Sequence, residues 1–212
     1  RAFLHGSYVG PSRTISKEER KEKLEEFHEI VTKGMNVRHA RYDWHYLDRF
    51  LRGEQYNIAK AVDAFGDHLN WRRENDVDFI HLSFSFDELH NVQRHYKFGF
   101  FGTDYRGRPI YIDRIGSADT EKLLRHTTHQ RLLRNTIYNW EQLIENKFPS
   151  CTKAHGHHVG QICSIVDLDG LSWNSLNKDV RKMLKDFSSM GQANYPEILG
   201  VLFIVNAPSL FR

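Results

Sequence analysis

Apolar residues between Ser16 and Leu69 recur at helical intervals in three separate runs. Ser16 and Glu19 have capping-box spacing, and Leu24, Phe27 and Val31 then share one face, with Gly34 as the predicted stop. A second helix is predicted from Asp43 to Arg52, carrying Trp44, Leu47 and Leu51 and ending at Gly53. The third is capped by Asn57 and places Ile58, Val62, Phe65 and Leu69 along one stripe.

The pattern changes from about residue 86. A turn at Asp104-Tyr105-Arg106-Gly107 leads into "RPIYIDRI", a β-branched run bounded by Pro109 and Gly116. Thr128 to Lys147 reads as an amphipathic helix, with Leu133, Ile137, Trp140 and Ile144 aligned and Pro149 ending it. "QICSIVDL" is the next strand, Ser175 to Met190 the next helix with Leu176, Val180, Met183 and Phe187 on one face, and "GVLFIV" the last strand. Strands separated by helices predict parallel pairing, and continuous apolar strands predict a sheet covered on both faces. The chain is therefore expected to be α/β: residues 1–15 a tether, 16–85 a helical unit, 86–212 an α/β unit. Three strands leave an uncovered edge, so the C-terminal part of the fold is expected to be missing.

Composition narrows the classes. With 30 basic and 27 acidic residues the net charge is +3, too small and too dispersed for a nucleic-acid partner, though compatible with weak attraction to an anionic membrane. Two cysteines, Cys151 and Cys163, make no disulfide framework and favour a reducing, cytoplasmic setting. No apolar run approaches a membrane span.

Two groups of residues suggest chemistry. Asp167-Leu168-Asp169-Gly170 leaves a strand end, as in metal-dependent phosphatases that use one carboxylate as nucleophile and the other as acid. The residue after the glycine is Leu171, and only one strand follows, ending at Asn206-Ala207-Pro208, so the acidic pair and lysine such chemistry needs are lacking. Asp and Gly are also ordinary turn residues. Cys151, His155, His157, His158 and Cys163 cluster in sequence, yet no pair has the usual spacing of a zinc site. Neither group predicts an enzyme or a metal.

"LDRFLRGEQYNIAKAVDAFGDHLNWRREN", "DYRGRPIYI", "IVDLDGLSW" and "NYPEILGVLFIVNAP", in that order, resemble the CRAL-TRIO family of lipid-binding proteins, which includes the secretory phosphatidylinositol transfer proteins and tocopherol carriers. The resemblance covers about Asp43 to Arg212. It implies a helical leader packed on a mainly parallel sheet that floors a cavity for one lipid, with no cofactor beyond the lipid itself. Implied partners are a phospholipid or other hydrophobic molecule and a transient membrane surface; protein partners are unassigned.

The family's headgroup positions carry over singly. For phosphatidylinositol, the arginine position is Glu54, which reverses the charge, and the glutamate is kept as Glu197. For phosphatidylcholine, the hydroxyl positions fall on Ile162, Ser164, Phe100 and Trp140, leaving one hydroxyl. Ser164, Glu197 and Glu54 are thus headgroup candidates, and Phe100, Trp140, Ile162, Met183, Phe187, Tyr195 and Phe203 cavity-lining candidates. The expected function is binding and transfer of one phospholipid or other hydrophobic ligand, in the cytoplasm and peripheral to membranes. The alternatives are a regulatory docking domain without transfer and, remotely, a phosphatase using Asp167 and Asp169.

Overall fold

The Ser16 hydroxyl accepts a hydrogen bond from the Glu19 amide at 3.0 Å and opens helix α1, Lys17–Glu29, as its spacing predicts. The helix runs on as a π-helical turn, Ile30–Gly34. Asp43 caps α2, Trp44–Gly53, and Asn57 caps α3, Ile58–Glu74, each through its own side-chain oxygen. The computed structural model describes residues 15–171 and 178–208 together with His5–Gly6. By contact density the chain divides into two compact units.

The helical unit comprises residues 15–78 together with Met190–Ile198. Phe65 is its centre: Phe27, Tyr42 and Phe50 meet its ring edge to face, with centroids 6.0, 5.2 and 5.2 Å away. Such pairs add to the energy of area burial. His68 is buried beside them, bridging the Tyr46 hydroxyl at 2.8 Å and Asn194 Oδ1 at 3.2 Å. Burial lowers its pKa to about 4, so the ring is neutral at physiological pH.

The sheet unit takes Phe79–Ser189, the segment from Leu199 onward, and His5–Gly6. Its strands are β1 (His5–Gly6), β2 (Phe98–Thr103), β3 (Pro109–Asp113), β4 (Ile162–Asp167) and β5 (Leu199–Val205), in the spatial order β1-β5-β4-β3-β2. β3, β4 and β5 are parallel, and β1 and β2 add antiparallel edges. The parallel core matches expectation. The edges do not follow from the sequence pattern: "FGFFGT" lacks alternation, and β1 pairs just two residues, inside the predicted tether, with the edge of β5.

Helices α4 (Ile80–Ser83), α5 (Leu89–His95), α6 (Thr120–Leu123), α7 (His129–Gln142), α8 (Phe148–His155) and the part of α9 (Lys178–Asn194) that falls in this unit surround the sheet. Pro149 does not end the helical path as predicted. A π-helical turn, Leu143–Lys147, joins α7 to α8, and Pro149, which has no amide to donate, falls where that wider turn passes into α8. The same helix contains Cys151, so the cysteine and histidine cluster is not a loop throughout. For the helix predicted from Ser175, the start at 175–177, including Leu176, lies outside the described residues.

Candidate functional site

Strand alternation sorts the sheet into two faces. On β4, Ile162, Ser164 and Val166 share one face. Register places Tyr111 and Leu202 beside Ser164, and Phe100 beside Tyr111; Phe98 and Asp113 follow in the adjoining row with Val166. The opposite face carries Ile110, Ile112, Cys163, Ile165, Val201 and Phe203.

Helices cover the Ser164 face. Val92 of α5, Leu123 of α6, Leu132 of α7 and Met183 of α9 form one buried cluster, against which Tyr96, Phe98 and Phe187 pack. Next to this cluster a cleft of about 440 Å³ remains open, between Phe98, Phe100 and Tyr111 of the sheet, Asn135, Tyr138 and Asn139 of α7, and Phe84 and Phe86. Its volume falls in the range of small-molecule sites, and its walls combine aromatic faces with amide, hydroxyl and ammonium groups, those of Gln93, Ser85 and Lys147 included. The π-helical turn adds a residue to the helical path, and Lys147 at its end projects over Phe100, Nζ lying 5.0 Å from the ring centroid. A second cleft of about 460 Å³ lies on the far side of the cluster, between α6 and α9, lined by Leu123, Leu124, Val180 and Met183 with His129 and Lys182.

The floor beside the first cleft holds a buried acid. Asp113 is pushed up to about 6 by burial, partly offset by the Tyr96 hydroxyl and the Ile115 amide. Its Oδ1 is buried without a hydrogen-bond partner among the described residues. Burial and the neighbouring Asp113 charge raise the tyrosines in turn, Tyr96 and Tyr111 both well above the usual phenol range. Both stay protonated and remain hydrogen-bond donors. At the cleft's outer wall, Arg131 stacks over Phe84 and Phe86 and clasps Glu88 at 2.5 Å, holding that carboxyl down to about 2.

The candidates predicted from sequence separate into four places. Phe100, Ile162 and Ser164 share the cleft's sheet face, and Ile162 and Ser164 are buried. Met183 and Phe187 belong to the helical cluster, where Phe187 also stacks on His129 at 5.9 Å; Trp140 is half-buried on α7. Phe203 is in register with Ile165 and so lies on the opposite face from Ser164. Tyr195, Glu197 and Glu54 lie in the helical unit. There Glu197 is ion-paired with Arg52 at 2.6 Å, Tyr195 packs on Trp71 at 5.9 Å, and Glu54 caps α2. Glu197 adopts φ 58, a left-handed conformation that costs a residue with a Cβ.

Sequence reasoning missed Tyr111, Asp113, Tyr138, Lys147 and Arg52. The alternation of "RPIYIDRI" already puts Tyr111 and Asp113 on one face, but only the β3–β4 register shows that it is Ser164's face. Asp167, the supposed nucleophile, accepts hydrogen bonds from Arg114 Nε at 3.3 Å, Asn206 Nδ2 at 2.8 Å and the Asp169 amide at 3.0 Å. It ties the ends of β3, β4 and β5 together. Among the described residues no three His, Cys, Asp or Glu side chains converge as a metal ion requires.

Comparison with known proteins bears on this arrangement directly. A family model described as the CRAL/TRIO domain matches residues 93–212, more than half of the chain and most of the sheet unit. The chain belongs to the CRAL-TRIO family. Among curated CRAL-TRIO relatives, the phosphatidylinositol/phosphatidylcholine transfer protein SFH9 of Arabidopsis thaliana is 36% identical over 170 residues, 80% of this chain and 29% of that protein. SFH11 of the same plant is 32% identical over 203 residues, 94% of this chain and 54% of that protein. The Sec14 cytosolic factor of Schizosaccharomyces pombe is 34% identical over 162 residues, 76% of this chain and 56% of that protein. The chain thus spans between about a third and about half of these relatives. The crystal structure of Sfh5 superposes with a TM-score of 0.67 at 17% identity, covering 94% of this chain and 74% of that one, which establishes the shared fold.

Proposed function

We propose that this CRAL-TRIO chain holds one phospholipid or other hydrophobic ligand against the Ser164 face of its sheet and exchanges it with membranes, without a chemical step. The observation that carries this reading is the cleft on that face, where the rings of Phe84, Phe86, Phe98 and Phe100 are interspersed with the polar side chains of Asn135, Asn139 and Lys147. Relatives named as phosphatidylinositol/phosphatidylcholine transfer proteins support it, and the name of the Sec14 cytosolic factor supports a cytoplasmic place of work.

The physical logic is sequestration. Each buried methylene of an acyl chain gains about 0.8 kcal/mol, so the aromatic part of the wall competes with a bilayer without any covalent help. Lys147 gives the cleft one cation for a phosphate, and the hydroxyls of Tyr111 and Tyr138 supply donors in place of those absent at Phe100, Ile162 and Trp140. Buried Asp113 opposes an anion approaching the floor when it is ionised, so the phosphate belongs at the Lys147 end. In the helical unit, Glu197, the glutamate that the family resemblance assigned to phosphatidylinositol, is paired with Arg52.

The test is transfer of a labelled phospholipid between donor and acceptor vesicles, with wild-type chain and Lys147→Glu. The wild type should transfer lipid and the variant should lose most of the rate for phosphate-bearing lipids. A wild-type chain that neither transfers nor takes up any lipid would falsify the proposal.

A further inference from the structure

A β-bulge shapes the tip of the β2–β3 hairpin. Phe100 pairs with Tyr111 and Thr103 with Pro109, so Phe101 and Gly102 together oppose Ile110, with Gly102 at φ +62. The extra residue breaks alternation and re-aims the side chains beyond it. Phe101 is left 73% exposed, and Tyr105 in the turn 85% exposed. Leu199, 49% exposed, starts β5 at this same end, since it pairs with Ile162, one residue before the Cys163 that pairs with Ile110. Single exposed apolar residues need no explanation, but three large ones at one end of a sheet do.

The charge around them is positive. Asp104, the carboxylate of the turn, is held by Arg108 Nε at 2.7 Å and by the amides of Arg106 and Arg108 at 2.8 and 2.9 Å. The Arg106 guanidinium instead lies 5.4 Å over the Tyr105 ring. The end of α8 is fastened to this tip: His157 Nε2 contacts the Arg106 carbonyl at 3.1 Å, and the His155 ring lies so close to Gly107 that a Cβ there would sit 2.6 Å from it. Exposed His155 and His157 therefore border the same aromatic tip, and exposed Lys153 precedes them on the same helix.

We infer that this end of the sheet is a docking surface for an anionic lipid bilayer. Aromatic rings at a hairpin tip enter the headgroup region one at a time, and a guanidinium stacked on a tyrosine stands at the level of the phosphates. A protein partner would call for a continuous patch of about 800 Å² on this side, which separate protruding rings do not offer. The surface lies at a sheet end and does not depend on what the cleft holds. Failure here leaves the carrier reading standing, and an empty cleft leaves docking standing.

The experiment is sedimentation of the chain with vesicles of phosphatidylcholine alone and with phosphatidylserine added, for the wild type, the Phe101→Ser, Tyr105→Ser double variant, Arg106→Glu and Tyr105→Trp. Wild type should bind the phosphatidylserine vesicles more tightly and lose binding as salt rises. The double variant and Arg106→Glu should each bind about tenfold more weakly or less. Indole emission of the Tyr105→Trp variant, read against the wild type, should shift to the blue on binding. Binding unchanged in both sets of substitutions, with no such shift in the Tyr105→Trp variant, overturns the proposal. So does a wild-type chain that ignores both vesicles, including one that self-associates through this tip, which would assign the surface to protein.

Discussion

Burial works against the ordinary ionisation of Asp113 and of His68, in opposite directions. Asp113 binds its proton more tightly folded than unfolded, so its contribution to stability is present at low pH and lost as pH rises from about 3.8 through about 6. That gap corresponds to about 3 kcal/mol. Asp113→Asn should therefore stabilise the sheet unit by a few kcal/mol in urea unfolding at pH 7 and by almost nothing near pH 3.5; equal gains at both values would contradict the assignment. His68 binds its proton less tightly folded, so its contribution is present above about pH 6.5 and lost as pH falls toward about 4. Following its ring by NMR should give a midpoint near 4, and an ordinary midpoint near 6.5 would mean that the Tyr46–His68–Asn194 bridge is open in solution. Neither residue could be picked out from sequence, because His68 sits on a helix stripe like any polar residue and Asp113 takes its meaning from Tyr96, a residue of another element.

At the scale of elements, the caps and apolar stripes were legible because they are local. Ser16, Asp43, Asn57 and Thr128 each cap the helix that follows them, through their own side chains. The parallel order β3-β4-β5 was legible from strand and helix alternation. What depends on distant residues was not. The antiparallel edges and the face on which Phe203 lies follow from register, which alternation leaves undetermined by one residue, and the π-helical turn that carries Lys147 toward Phe100 has no signature in the apolar stripe. The loop after β4 shows the same dependence. A Cβ on Gly116 would lie 2.2 Å from the Leu168 carbonyl carbon, so the turn after β3 and the Asp167–Gly170 loop interlock through a bare glycine. Gly116→Ala should cost roughly 1–3 kcal/mol of stability or more, measured by thermal and urea unfolding. A neutral substitution would show that the two loops are looser than this packing requires.

For the molecule as a whole, the division of labour follows from where the polar groups lie. No helix among the described residues is long and apolar enough to cross a membrane. The sheet unit carries the cleft and the cationic aromatic tip, while the helical unit holds the Arg52–Glu197 and Arg72–Asp78 pairs around its own aromatic core. The two carboxylates that suggest a phosphatase reading now have a mechanical part: Asp167 joins strand ends, and its loop rests on Gly116. On the strand before that loop, Ser164 stands beside Tyr111 on the proposed ligand face.

The most direct test is native mass spectrometry of the purified chain after incubation with mixed phospholipid vesicles, comparing wild type with Ser164→Trp, whose indole would crowd Tyr111 on the sheet face that floors the cleft, and with circular dichroism to check folding. One bound lipid per wild-type chain and none in the folded variant is the predicted result. A wild-type chain that takes up no lipid, or a folded variant that takes up as much as wild type, contradicts the account.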